Sequence, residues 1–140
     1  MKDNDLIRRA AEFRSRAYAP YSGFAVGVAL LAASGRVYGG ANVENASYPV
    51  GICAERTAIA AAVTAGERAF EALAVIADSP APCAPCGMCR QMLMEFPLKR
   101  VILANTAGAV RVLTPAELLP HAFGAAALPV KEHTDENTDC

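Results

Sequence analysis

Cys53-Ala54-Glu55-Arg56-Thr57-Ala58-Ile59-Ala60-Ala61-Ala62-Val63-Thr64-Ala65-Gly66 is followed, after three residues, by Phe70-Glu71-Ala72-Leu73-Ala74-Val75-Ile76-Ala77. The first run is dominated by Ala, the best helix former, and ends at a Gly suited to a helix C-terminus, so it predicts a helix from about Cys53 to Ala65. The second is a short apolar run and predicts a buried strand. A helix between two strands is a crossover, and crossovers join parallel strands. The reading is therefore α/β, with Phe70–Ala77 expected parallel to the apolar strand upstream.

That upstream strand is the small-apolar run Ala25 to Ala33, expected to be buried on both faces. Ser34-Gly35 signals a tight turn, and Arg36 to Gly40 is its returning hairpin strand. Before it, Leu6, Ala10, Phe13 and Ala17 share one face of a helix capped by Asn4 or Asp5 and ended at Ala19-Pro20. The polar stretch Asn42 to Gly51 reads as a loop. Downstream, Asp78 to Ala84 is a Pro-rich loop, Pro85 opens a helix reaching about Phe96, and Val101 to Ala104 is a further strand. Five residues separate it from Val110–Leu113, too few for a crossover, so this last pair must be antiparallel. Thr114-Pro115-Ala116-Glu117 has the pattern of a capped final helix. The sum is a layered α/β domain over residues 1–130, with a mixed five-stranded sheet, its last two strands antiparallel, and helices on both faces. From Lys131 to Cys140 the chain is polar and reads as a disordered tail.

At 140 residues and 54% apolar composition, much of it Ala, the chain can build one well-developed core or close apolar surface against another subunit. A formal net charge of -1, with basic residues scattered, argues against nucleic acid, which needs clustered Lys and Arg. No apolar run is long enough to span a membrane, and the charged start Met1–Arg9 lacks an export signal's apolar region. The expectation is a cytoplasmic protein whose five Cys are metal ligands or free thiols rather than disulfides.

Cys53, Cys86 and Cys89 offer three thiols to one metal, with Glu55 two residues past the first. Zinc is usually four-coordinate, and three protein ligands leave a place for a water whose pKa the ion lowers toward neutrality. A carboxylate that does not bind the ion can then move protons. Both Cys53 and the Cys86–Cys89 pair stand at predicted helix starts, whose positive ends offset the surplus charge of three thiolates on a divalent ion. Arg56, a turn along from Cys53, is placed to hydrogen-bond sulfur. By position alone, Glu55 is also an ordinary first-turn carboxylate, Phe24 is core packing, and Asn42 and Glu44 are loop polar residues. Cys83, three residues before Cys86, leaves open a closed, structural Cys₄ site. Glu55 would have no task in such a site, and the short Ala84-Pro85 link would have to turn Cys83 back onto the ion. His121 and His133 lack ligand-like spacing, and Cys140 reads as a free thiol.

The Cys53-x-Glu55…Pro85-Cys86-x-x-Cys89 pattern resembles the signature of the zinc base deaminases, with Cys53 in the position of their His. Tyr21-Ser22-Gly23-Phe24-Ala25-Val26-Gly27, Asn42-Val43-Glu44-Asn45-Ala46-Ser47-Tyr48 and Leu118-Leu119-Pro120-His121-Ala122-Phe123 extend the likeness. Together they resemble, in order from about Arg16 to Phe123, the small homotetrameric cytidine deaminases. The resemblance implies a three-layer deaminase fold and zinc-dependent hydrolytic deamination of cytidine, and of 2′-deoxycytidine, in pyrimidine salvage. It implies one zinc per subunit on Cys53, Cys86 and Cys89, with Glu55 as general acid and base and Arg56 compensating thiolate charge. It places Phe24 on the pyrimidine, Asn42 and Glu44 on the ribose, and the Ala54 backbone on the ring carbonyl. Tyr48 and Phe123 would reach into a neighbouring subunit's site, giving a homotetramer with active sites built between chains. Ala84 departs from the family's usual small polar residue, and Cys83 is not part of its pattern. The competing expectations are a related deaminase of another cytosine-bearing substrate and a Cys₄-stabilised, non-catalytic module.

Overall fold

Val26–Ala32 (β1) presents alternate residues to opposite sides of a sheet, and both sides are covered, so six of its seven residues are buried. The computed structural model describes residues 1–129. The remaining strands are Val37–Ala41 (β2), Phe70–Ala77 (β3), Leu98–Asn105 (β4) and Val110–Leu113 (β5), and all five form one sheet in the order β2-β1-β3-β4-β5. β3 and β4 are parallel, whereas β1 is antiparallel to both β2 and β3, and β4 is antiparallel to β5.

Among the described residues, four α-helices cover the sheet: Asp3–Arg14 (α1), Ala54–Thr64 (α2), Gly87–Glu95 (α3) and Pro115–Leu118 (α4). On one face, Val28, Leu30, Leu73, Val75, Val101 and Leu103 pack against Ala58, Ile59 and Ala62 of α2, Leu93 of α3 and Leu118 of α4. On the other, Ala29, Leu31, Ala72, Ala74, Ile76, Ile102 and Ala104 receive Leu6 and Ala10 of α1. This is the expected three-layer arrangement, with helices on both faces. The layers approach closely where the strands carry glycine. A Cβ on Gly40 would overlap the Ala54 carbonyl oxygen and stand 2.6 Å from the Ala58 nitrogen, so α2 lies nearly against the β2 backbone. The Thr57 hydroxyl fixes this contact by donating to the Ala41 carbonyl at 2.9 Å.

Several expectations are corrected. β3 runs antiparallel to β1, not parallel. The crossover through α2 leaves from β2, which the hairpin has already reversed, and passes over β1, so its parallel relation is to β2. α1 begins at Asp3 after Lys2, and neither Asn4 nor Asp5 caps it; it ends at Arg14, leaving Ala17 outside the helix. Cys53 and Cys86 are the N-cap residues of α2 and α3 rather than members of them. β4 is longer than Val101–Ala104 because its first residues pair with the start of β3, Leu98 opposite Phe70. At α4 the expected capping box is present, with the Glu117 N–H donating to Thr114 Oγ1 and the Thr114 N–H donating to Glu117 Oε1. The tail from Lys131, with His133 and Cys140, lies outside the described residues. No described helix is long and apolar enough to cross a membrane.

Candidate metal centre and active site

α2 and α3 pack on the same sheet face, and the residues that cap their N-termini bring Cys53 and Cys86 together. With Cys89 in the first turn of α3, the three sulfurs lie within 4.8 Å of one another. A tetrahedral zinc with bonds of about 2.3 Å separates its sulfurs by about 3.8 Å. The Cys53 and Cys86 sulfurs are 3.8 Å apart. The donor set and its spacing therefore fit a thiophilic divalent ion held by three protein ligands. Cys83 is outside this cluster. Its N–H donates to the Ala104 carbonyl at 3.1 Å, its side chain packs against the core, and burial pushes its thiol up to about 11.

Electrostatics around the sulfurs follow from who faces whom. The neighbouring Cys89 thiol draws the Cys53 pKa down to about 5, with Arg56 and Cys86 assisting, and Cys89 is raised in consequence. The Arg56 guanidinium stands beside both sulfurs and is itself held more firmly protonated by them. Its Nε, buried, has no hydrogen-bond partner among the described residues. Glu55 is one of two buried polar side chains among the described residues, 4% exposed, and the Cys89 thiol donates toward its Oε2 at 3.6 Å. Burial raises the Glu55 pKa, because the anion loses its water. A carboxyl poised to hold a proton therefore sits against the sulfur cluster.

The cleft above the cluster is walled by Ser22, Phe24, Val26, Asn42, Glu44, Cys53, Ala54, Glu55, Cys83, Ala84 and Cys86. The walls are placed by backbone pairing. Tyr18 exchanges bonds with Asn42 and Glu44, while Val43 and Ile52 bond each other in both directions, which seats the loop after β2 beside Cys53. Asn42 donates from Nδ2 to the Phe24 carbonyl at 2.7 Å and accepts the Val26 N–H at 2.8 Å. Glu44 Oε1 accepts the N–H groups of Tyr21 and Ser22, and Oε2 accepts the Ser22 hydroxyl. These bonds, the hydroxyl's first, hold the Glu44 pKa below the usual carboxylate range.

The structure thus gathers Phe24, Asn42, Glu44, Ala54, Glu55 and the cysteines in one place. Phe24 is 42% exposed, so the reading of it as core packing is corrected. Tyr48 and Phe123 are not in the cleft: Tyr48 leans on Tyr21, ring centroids 5.7 Å apart, and both Tyr48 and Phe123 are largely exposed. Three residues without an assigned task also support the site. Ser22 belongs to the Tyr21–Gly27 stretch, and its hydroxyl accepts the Phe24 N–H two residues on, a local turn. Arg90 donates from Nε to the Pro85 carbonyl and from Nη1 to the Leu118 carbonyl, both at 2.8 Å, tying the turn before Cys86 to α4. Asn105, the other buried polar residue, anchors the Pro-rich loop by donating to the Ser79 and Pro80 carbonyls. Nothing local in the sequence distinguishes these last two from surface polar residues.

A mixed α/β sandwich with an open three-thiol centre and an adjoining buried carboxyl defines a metal-dependent hydrolase type of site. Residues 1–105 match the family model for the cytidine and deoxycytidylate deaminase zinc-binding region. The chain is 49% identical over 120 residues to a cytidine deaminase of Sporosarcina psychrophila, covering 84% of this chain and 88% of that one. It is 49% identical over 122 residues to a cytidine deaminase of Halalkalibacterium halodurans, covering 86% and 92%. Among solved structures, cytidine deaminase from Burkholderia pseudomallei superposes with a TM-score of 0.86 at 49% identity, over 88% of this chain and 100% of that one. This chain belongs to the zinc-binding cytidine and deoxycytidylate deaminase family.

Proposed function

We propose that this protein hydrolyses cytidine, and 2′-deoxycytidine, to the corresponding uridine and ammonia, as a cytoplasmic enzyme of pyrimidine salvage folded as one domain over residues 1–130. The observation that carries the reading is the buried Glu55 set against three clustered thiols at the floor of a cleft walled by Phe24, Asn42 and Glu44. Cys53, Cys86 and Cys89 hold the zinc, which when bound supplies a Lewis acid that brings the pKa of a water toward neutrality. Arg56 and the two helix N-termini offset the surplus negative charge of the thiolates.

Glu55 does the proton work. Its carboxylate takes a proton from the attacking water as the water oxygen bonds to C4 and delivers that proton to N3 of the ring. It then takes the proton of the new C4 hydroxyl and hands it to the amine as the C4–N bond breaks. Its raised pKa favours holding the proton between these transfers. Phe24 stacks on the pyrimidine, the Ala54 backbone receives the ring carbonyl, and Asn42 and Glu44 address the ribose. An ionised Glu44 favours a neutral nucleoside over a phosphorylated one. Tyr48 and Phe123, exposed and apart from this chain's own cleft, serve a neighbour's site in a homotetramer. The exposed Val50 and Met88 support a surface made for other copies.

The test is ammonia release from cytidine by the wild type and by Glu55→Gln, with zinc determined on both. Equal zinc with turnover in the wild type alone is expected. An active Glu55→Gln enzyme removes Glu55 from its role, and a zinc-loaded wild type that releases no ammonia removes the reading.

A further inference from the structure

We propose that Ser22 is a positioning residue for nucleoside binding: its hydroxyl fixes the Glu44 carboxylate in the cleft. The inference rests on the reading of the protein as a nucleoside deaminase. Ser22 lies 22 residues from Glu44 in the chain, on an exposed turn. That turn is closed by the Gly23 N–H donating to the Ala19 carbonyl at 2.9 Å, with Gly23 at a φ of 67° that favours glycine. Its geometry delivers three donors to one carboxylate. The N–H groups of Tyr21 and Ser22 reach Oε1 at 2.9 and 3.1 Å, and the Ser22 hydroxyl takes Oε2. It is the only side-chain donor to Glu44 among the described residues. The same hydroxyl oxygen accepts the Phe24 N–H at 3.0 Å. One small group therefore links the residue facing the sugar to the residue facing the base, and Ser22, Phe24 and Glu44 all line the cleft that holds the thiols.

Without the hydroxyl, Oε1 keeps its two N–H donors but Oε2 is free to swing toward solvent, so the carboxylate is held at one oxygen only. The ordering must then be supplied by the ligand, which weakens binding without touching the proton chemistry at Glu55. Ser22→Ala should raise KM for cytidine about tenfold, the scale of one hydrogen bond to a charged group, with kcat within about threefold and zinc unchanged. Ser22→Thr, which keeps the hydroxyl, should recover most of the loss. The decisive measurement is a double-mutant cycle with Glu44→Ala, followed as KM for cytidine and, where turnover is too slow, as the Kd of uridine by calorimetry. If Ser22 acts through Glu44, Ser22→Ala adds less than about twofold in the Glu44→Ala background. Additive losses, an unchanged KM in Ser22→Ala, or a fall in kcat at constant KM would each overturn the proposal while the wild type still deaminates cytidine. A wild type that neither deaminates cytidine nor binds uridine overturns the parent reading, and this proposal with it.

Discussion

Replacing Arg56 by alanine tests the electrostatic design of the centre. Three thiolates and a divalent ion sum to a charge of -1, held beside a carboxyl that is itself buried. Arg56 is the cation that faces Cys53 and Cys89. Its removal forfeits a charge-assisted interaction, about 1.5–3 kcal/mol in general. Because the guanidinium is only partly buried, solvent screens some of that, and the lower end applies. At about 1.4 kcal/mol per decade this gives zinc binding weakened about 10- to 30-fold, within the range found for groups that orient metal ligands. The assay is competition with a chelator of known affinity, followed by zinc content at equilibrium, with circular dichroism to check folding. Arg56→Lys should fall between, since a point charge cannot match the planar fork. A Kd for zinc within twofold of wild type in a folded Arg56→Ala protein would refute the reasoning.

Cys83→Ser should retain zinc within about twofold through the same chelator challenge, because a group outside the cluster supplies no coordination energy; metal loss would restore the closed Cys₄ site. Gly40→Ala should lower Tm by at least about 5 °C and reduce zinc retention together, since the added Cβ meets the backbone of α2 just behind Cys53; a variant with wild-type melting would show that α2 shifts freely. Sedimentation velocity should find a tetramer, and activity per subunit should fall on dilution as it dissociates. A monomer with full specific activity would sink the assignment of Tyr48 and Phe123 to a neighbour's site.

The metal centre was legible in the sequence because its parts are local: Cys-x-Glu at one helix start and Cys-x-x-Cys at another. Their meeting was not local, and needed both helices on one sheet face. The direction of β1 against β3 was misread for a related reason. The most apolar strand before α2 is β1, whereas the crossover rule concerns the strand the helix leaves, β2. The end of α1 was missed because apolar spacing carried the pattern through Ala17, although the chain turns off at Ser15. The alanines that turn inward set how closely the layers approach: Ala29, Ala72, Ala74 and Ala104 floor the α1 layer, and Ala54, Ala58 and Ala62 line α2. The burial of Glu55 and the grip of Ser22 on Glu44 depend on segments far apart in the chain, and no periodicity records them.

Cys53 and Cys86 are 33 residues apart, and all of β3 lies between them. An ion gripped at both ends of that span also ties a knotless loop shut, doing topologically what a cystine does while the thiols stay reduced. By the chain-entropy model, closing about 33 residues withdraws roughly 3–4 kcal/mol of freedom from the unfolded chain. The same atoms that activate water would then act as a rivet through the middle of the domain, so that loss of metal should soften the β1–β3–β4 core as well as end the chemistry.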